Sequence, residues 1–258
     1  MYDNDGVIER EVKRLRQELR IYRCGGMTKI RLGRRGDGGY VVLREPLYSC
    51  EILYSYGIGD DISFELDFLL ANSNTRALLY DPTITALPKT HSRAKFFREA
   101  FSPRTLERRS MMKVDVEGAE WDVFSTWPIS ELVKLDQLVI EFHFIHVAPA
   151  PGLSPYFTDF YQKQMDKINA WLFCRYRNVL VRLSRVFRLV HLHVNNSLPP
   201  IEIGGGRMYP LIECSFVNRD LLIEAALSDE VFPIDGLDYP NKTDRPDAAG
   251  IKPPEKLC

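Results

Sequence analysis

Three apolar runs in this 258-residue chain end in side chains able to do chemistry. The run Met111–Val116 carries the stretch Lys113-Val114-Asp115-Val116-Glu117-Gly118-Ala119-Glu120, which sets three carboxylates at and beyond its end. The run Gln137–Phe142 finishes in Glu141-Phe142-His143, and strand alternation puts Glu141 and His143 on one face. A third finishes in His191-Leu192-His193-Val194-Asn195-Asn196, where His191, His193 and Asn195 share a face. At the carboxyl ends of a parallel sheet such residues converge on the crevice where ligands bind. Asp115, Glu141, His143, His193 and Asn195 therefore form the candidate catalytic set. They could take the proton from an attacking hydroxyl, with His143 or His193 as the favoured base. Alternatively, Asp115, Glu141 and His143 could hold a hard or borderline divalent cation; the spacing does not separate the two. For Glu117 and Glu120 the competing reading is a helix start, where acids favour the dipole. His91 and His146 lack such company and read as surface or packing residues.

A second group of residues points to a nucleoside. Tyr56-Gly57-Ile58-Gly59-Asp60-Asp61 lies between an apolar strand and a helical pattern. Glycines at such a junction let the backbone approach a ligand and expose helix N-terminal amides, though many glycine pairs only make a tight turn. The following strand ends at Asp81, 24 positions after Gly57. That spacing suits a carboxylate that accepts ribose hydroxyls, although Asp81 before Pro82 would also serve as a turn cap. A third glycine of the dinucleotide fingerprint is missing, with Ile62 in its place. Asp60 and Asp61 would repel a pyrophosphate but tolerate a cationic sulfonium. S-adenosylmethionine is thus the expected cofactor, held by Tyr56, Gly57, Gly59, Asp60, Glu65, Asp81 and Asp115. An NAD-dependent oxidoreductase is the alternative.

The elements that must position these residues follow from periodicity. Val7–Tyr22 has helical spacing on a surface-facing element and is ended by Gly25-Gly26. Lys29–Leu32 and Tyr40–Leu43 read as short strands around the turn Gly36-Asp37-Gly38-Gly39. From residue 51 the pattern becomes strand, loop, helix. Strands are expected over Glu51–Tyr56, Ala77–Tyr80, Met111–Val116 and Gln137–Phe142. Helices are expected over Ile62–Ala71, with Ile62, Leu66, Leu69 and Leu70 on one face, and over Ala119–Trp127, Ser130–Lys134 and Phe157–Tyr176. Leu189–Val194 and Leu211–Val217 read as a closing strand pair joined across Gly204-Gly205-Gly206. This alternation implies an α/β, doubly wound sheet with an antiparallel last strand. The chain divides into an N-terminal helical extension (1–28), the α/β domain (29–234) and a Pro- and Asp-rich tail (235–258) expected to be loosely ordered.

Composition narrows the function classes. A net charge of -1, with 45% hydrophobic and 27% charged residues, describes a globular domain without the overall basicity of a nucleic-acid binder. The arginines at 104, 108 and 109 and between 175 and 188 read as solvated faces. No stretch approaches a membrane span, and Met1–Arg20 lacks the apolar middle of a signal peptide, so a cytoplasmic location is expected. The five cysteines form no CxxC pair and read as incidental thiols. Oligomeric state is not legible.

The stretch KVDVEGAE followed by Trp121 resembles the signature of FkbM-type methyltransferases and their methyltransferase-like relatives. RLGRRGDGGYVV (31–42), YSYGIGDDISFE (54–65), YDPT (80–83), VIEFH (139–143) and HLHVNN (191–196) fit the same group in order. The resemblance covers about Arg31–Leu222. It implies a class I methyltransferase fold, Rossmann-like, with seven strands and the last antiparallel. It also implies S-adenosylmethionine at Gly57 and Gly59, Asp81 at the ribose, and O-methylation of a sugar or other small polar metabolite. Asp37–Tyr40 match a family element expected to help close the pocket. One stretch departs from the family: only 30 residues separate Pro82 from Lys113. Phe96–Phe101 is read there as a strand and Thr105-Leu106 as the start of a shortened helix. That shortening keeps a non-catalytic binding module on a degenerate fold as a further alternative.

Overall fold

The computed structural model describes residues 4–144, 170–203, 206–224 and 226–253. Strands β3 (Ile52–Tyr56) and β6 (Ser110–Val114) are buried at every residue, as expected for central strands covered on both faces. With β4 (Arg76–Tyr80), β5 (Ala94–Phe97), β7 (Leu135–His143), β8 (Phe187–Val194) and β11 (Leu211–Asn218) they make a seven-stranded sheet in the order β5-β4-β3-β6-β7-β11-β8. Strands β5 to β7 pair in parallel, whereas β11 is antiparallel to both β7 and β8. A last strand inserted antiparallel between the fifth and sixth core strands defines the class I methyltransferase fold. The closing pair is not a simple hairpin, because β9 (Ile201–Ile203) and β10 (Gly206–Met208) form their own ladder between its strands. Short strands β1 (Lys29–Leu32) and β2 (Tyr40–Leu43) pair antiparallel as a separate ribbon. Ribbon and sheet are stitched together where Gln137 bonds both the amide and the carbonyl of Leu43.

The helices differ from expectation in phase and extent. In α3 (Ser63–Ala71) the buried face is Phe64, Glu65, Phe68 and Leu69, while Leu70 points to solvent at 76% exposure. Asp61 sets this phase by accepting from the Ser63 amide and hydroxyl, and Phe64 then packs edge-on to Tyr40 at 5.7 Å. Helix α1 (Asn4–Glu18) lies on α6 (Ala170–Ser184), burying Val12 and Leu15. The helix expected over Phe157–Tyr176 overlaps α6 from Ala170 onward and continues past it to Ser184; residues 157–169 and His146 lie outside the described residues. Helices α4 (Glu120–Thr126) and α5 (Ile129–Leu132) fall where expected, and α2 (Arg44–Ser49) joins β2 to β3.

No helix begins at Thr105-Leu106, and β5 stops at Phe97. An extended segment takes the helix's place. Its Phe101 inserts among Tyr56, Phe124 and Trp127 with ring centroids 4.7, 5.3 and 5.5 Å away, and Leu106 is buried beside it. Two apolar anchors thus cover the sheet face that a longer insert would cover with a helix. The tail also departs from its reading as loosely ordered. Through residue 253 it straps the sheet, with Ile251 buried and bridged to the buried Phe232 of the domain, and Asp238 and Asn241 buried.

Candidate active site at the carboxyl ends of the strands

The glycine loop leaves β3 at Tyr56 and turns with Gly57 at φ 75° and Gly59 at φ 55°. A Cβ at Gly57 would lie 1.5 Å from the Asp115 carbonyl oxygen, so this glycine is required for the loop to rest on the end of β6. A Cβ at Gly59 would meet nothing within 4 Å; that side of the loop faces open space. Asp81 holds the loop shut. The Ile58 and Gly59 amides donate to its Oδ2 at 2.8 and 2.9 Å, and the Thr83 amide and hydroxyl donate to its Oδ1 at 2.7 and 2.6 Å. Burial pushes the carboxyl's pKa up, but these four donors outweigh it and hold it below the usual range. A carboxylate offers about four lone-pair sites, so the expected ribose acceptor is already saturated by its own chain.

Other residues assigned to the cofactor have different settings. Asp60 is exposed on the loop, whereas Glu65 is buried beneath it. There Glu65 accepts from the Ser55 hydroxyl at 2.5 Å and faces the Lys113 ammonium at 3.7 Å. Lys113 in turn donates to the Gly57 carbonyl at 2.9 Å. Glu65 therefore acts through Lys113 to brace the loop. The Tyr56 ring stacks on Tyr80 at 4.8 Å, Tyr80 on Phe97 at 4.9 Å, and the Arg104 guanidinium lies 3.8 Å from the Tyr80 ring centre.

Register places a row of acids beside the loop. Val114 pairs with Ile140, which sets Asp115 next to Glu141; Glu213 pairs with Glu141 on one side and His193 on the other. Tyr40 roofs the row and donates to Asp115 Oδ2 at 3.0 Å. Burial, together with Asp115 and Glu213, pushes the Glu141 carboxyl well above the usual carboxylate range against the pull of His143. Asn195 donates to Glu141 Oε1 at 2.6 Å.

Just beyond the row, Glu117 adopts a left-handed φ of 54° and Gly118 a φ of 100°. Such a conformation is costly for a residue with a side chain and concentrates at functional sites. It turns the chain so that Glu117 Oε2 sits 3.4 Å from His143 Nε2. The other ring nitrogen, Nδ1, faces Glu120 Oε1 at 3.2 Å. Glu120 is fully buried and also accepts from the His143 and Gly118 amides. Burial works against the protonated ring, but the Glu120 bond and the charges of Glu141, Glu120 and Asp115 win, raising the His143 pKa to about 10. His193 is likewise buried and held up at about 10, by bonds to Asp247 and Glu213 at 3.1 Å each. In both rings the neighbouring carboxylates favour the protonated form.

The structure thus brings Asp115, Glu141, His143, His193 and Asn195 to one edge of the sheet. His191 belongs to the strap instead, with Nε2 2.8 Å from Asp238 Oδ1. His91 is partly buried and accepts from the Arg93 amide. The sequence reading missed Lys113, Glu213, Asp238 and Asp247. Lys113 and Glu213 could have been found by counting register across the strands. The two aspartates were hidden by a composition that resembles disorder. A helix start was the competing reading for Glu117 and Glu120; Glu120 does open α4, and its carboxylate also serves His143.

No family model matches the chain, and no curated protein matches it. Solved structures similar to it include a hemolysin candidate from Streptococcus thermophilus, at 15% identity over 71% of this chain and 72% of that one, TM-score 0.34. The antibiotic-resistance methyltransferase Kmr is similar at 14% identity over 72% of this chain and 99% of its own, TM-score 0.32. The mitomycin 7-O-methyltransferase MmcR is similar at 12% identity over 81% and 53%, TM-score 0.29. Likeness at these scores carries no argument about activity. The strand order and direction are what define the class: an α/β protein of the class I methyltransferase fold.

Proposed function

We propose that the protein is an S-adenosylmethionine-dependent methyltransferase that acts on a hydroxyl oxygen of a carbohydrate or other small polar molecule. The observation that carries this reading is the position of the glycine loop. It leaves the first core strand, is open at Gly59, and rests on Asp115 at the head of the acidic row. The residues fit a nucleoside with one exchange: ribose hydroxyls would replace protein donors on Asp81, of which the Thr83 hydroxyl turns away most easily. Asp60 at the loop tip suits a cationic sulfonium. The cofactor supplies the electrophilic methyl group; the chain's own task is to align the acceptor and remove its proton. Asp115, placed by Tyr40 and by the end of β6, is the residue for that proton, and Glu141 with Asn195 shapes the acceptor's surroundings. The FkbM-type motifs support the same reading. The saturated Asp81 is the observation that favours the second reading, a binding module without turnover.

The arginines do not favour a nucleic-acid acceptor. Arg175 pairs with Asp122, Arg182 donates to the Trp127 carbonyl, and Arg188 to the Ser184 carbonyl at 2.7 Å. Among the described residues no helix is long and apolar enough to cross a membrane. The proposal is tested by incubating the protein with methyl-labelled S-adenosylmethionine and a panel of hydroxylated sugars. Label should pass to an acceptor with wild type and fall at least about a hundredfold with Asp115→Asn. Cofactor binding without transfer to any acceptor would select the second reading.

A further inference from the structure

We propose that Asp115, Glu117 and His143 form a binding site for a divalent transition-metal ion such as Mn2+. One carboxylate oxygen from each acid and one imidazole nitrogen lie within 4.8 Å of one another. Ligands at about 2.1 Å from one ion can be no more than about 4.2 Å apart, so the trio is within a small side-chain movement of coordination. Glu117 can make that movement, because its side chain is 71% exposed while that of His143 is only 8% exposed. One nitrogen and two carboxylate oxygens suit a borderline-to-hard ion and leave positions open for water or hydroxyl oxygens.

Two features outside the trio point the same way. Metal-bound histidines nearly always engage a carboxylate or carbonyl through the other ring nitrogen, which aims the ring and fixes its tautomer. Here Glu120, fully buried and pinned by two backbone amides, holds Nδ1 and leaves Nε2 toward Glu117. Ligating carboxylates are held in turn, and Tyr40, itself buried, fixes Asp115 through Oδ2. The His143 backbone is fastened as well, by the Trp121 indole donating to its carbonyl at 2.7 Å. The trio therefore differs from a solvated acidic patch: two of its three ligands have built outer partners. The local charge asks for a cation too, since Asp115, Glu117 and Glu120 surround one imidazole, whose Nε2 proton an ion would replace.

The inference stands on binding alone. Only its consequence, an ion that would draw an acceptor hydroxyl up to the acidic row and acidify it, rests on the methyl-transfer reading. The test is titration of the full-length protein with Mn2+, following the free-ion electron paramagnetic resonance signal without any nucleoside. One equivalent should bind, and Glu117→Gln should weaken binding at least about tenfold while leaving the melting temperature unchanged, because Glu117 is exposed. His143→Gln should abolish binding, with circular dichroism confirming that the buried substitution still folds. Absence of binding by wild type, or binding unaffected by Glu117→Gln, would overturn the assignment. Failure to bind S-adenosylhomocysteine would leave it standing.

Discussion

The two glycines of the loop should respond differently to the same substitution. In Gly57→Ala the new methyl would sit 1.5 Å from the Asp115 carbonyl oxygen and 2.6 Å from its carbon, at a φ of 75°. A left-handed alanine costs about 1–2 kcal/mol. Forcing a loop out of a close-packed contact adds about 1–3 kcal/mol. The displaced loop also loses the Gly57 amide bond to Tyr80 and the Lys113 bond to the Gly57 carbonyl. A total near 2–5 kcal/mol corresponds to about 4–20 °C in melting temperature for a protein of this size. Gly59→Ala carries only the backbone term, about 1–2 kcal/mol or roughly 2–8 °C, because its methyl projects into open space. If that open space receives the nucleoside, Gly59→Ala should lose ligand binding while keeping most of its stability. Denaturant melts of both variants, paired with calorimetry against S-adenosylhomocysteine, check this. Equal destabilisation by the two substitutions, or undiminished ligand binding by Gly59→Ala, would refute the division of labour.

Lys113→Met should destabilise by about 3–5 kcal/mol, because it strands the buried Glu65 carboxylate; adding Glu65→Gln should recover much of that loss in denaturant melts. The strap should respond to pH. The His193 pKa rises from 6.5 to about 10, so its contribution is complete below pH 6.5 and is lost as pH climbs toward 10. Melting temperature should therefore fall across that window, and less steeply in His193→Gln; parallel curves would contradict the bonds to Asp247 and Glu213. Acid acts through the neighbouring pair. Burial holds the His191 pKa below its ordinary 6.5, so its contribution fades as pH falls through that value. A His191→Asn variant should melt with a flatter profile between pH 7 and 5.

Much of the frame was legible because it is written in periodicity. The apolar runs read as strands at Glu51–Tyr56, Met111–Val116 and Gln137–Phe142 fall on β3, β6 and β7 to within two residues at each end, and the glycine junction after Tyr56 marks where the first gives way to a helix. The gathering of Asp115, Glu141, His143, His193 and Asn195 at one edge was legible for the same reason, since strand alternation and sheet direction fix where their side chains emerge. Protonation was not. Whether His143 is a base or a fixed cation depends on Glu120, whose approach follows from a left-handed turn at Glu117 that no periodicity encodes. The order of the tail was hidden because its stability comes from isolated long-range bonds: Asp238 to His191, Asp247 to His193, Asn241 to Glu213. The same holds for the segment before β6, where Phe101 and Leu106 replace a helix as two anchors too sparse to make a pattern.

The central claim is that the Gly57–Gly59 loop receives S-adenosylmethionine, and calorimetric titration with S-adenosylhomocysteine, with NAD+ as control, tests it most directly. The account predicts one site for S-adenosylhomocysteine, none for NAD+, and weakened binding in Asp81→Ala. No heat with S-adenosylhomocysteine, or binding of NAD+ in its place, would contradict it.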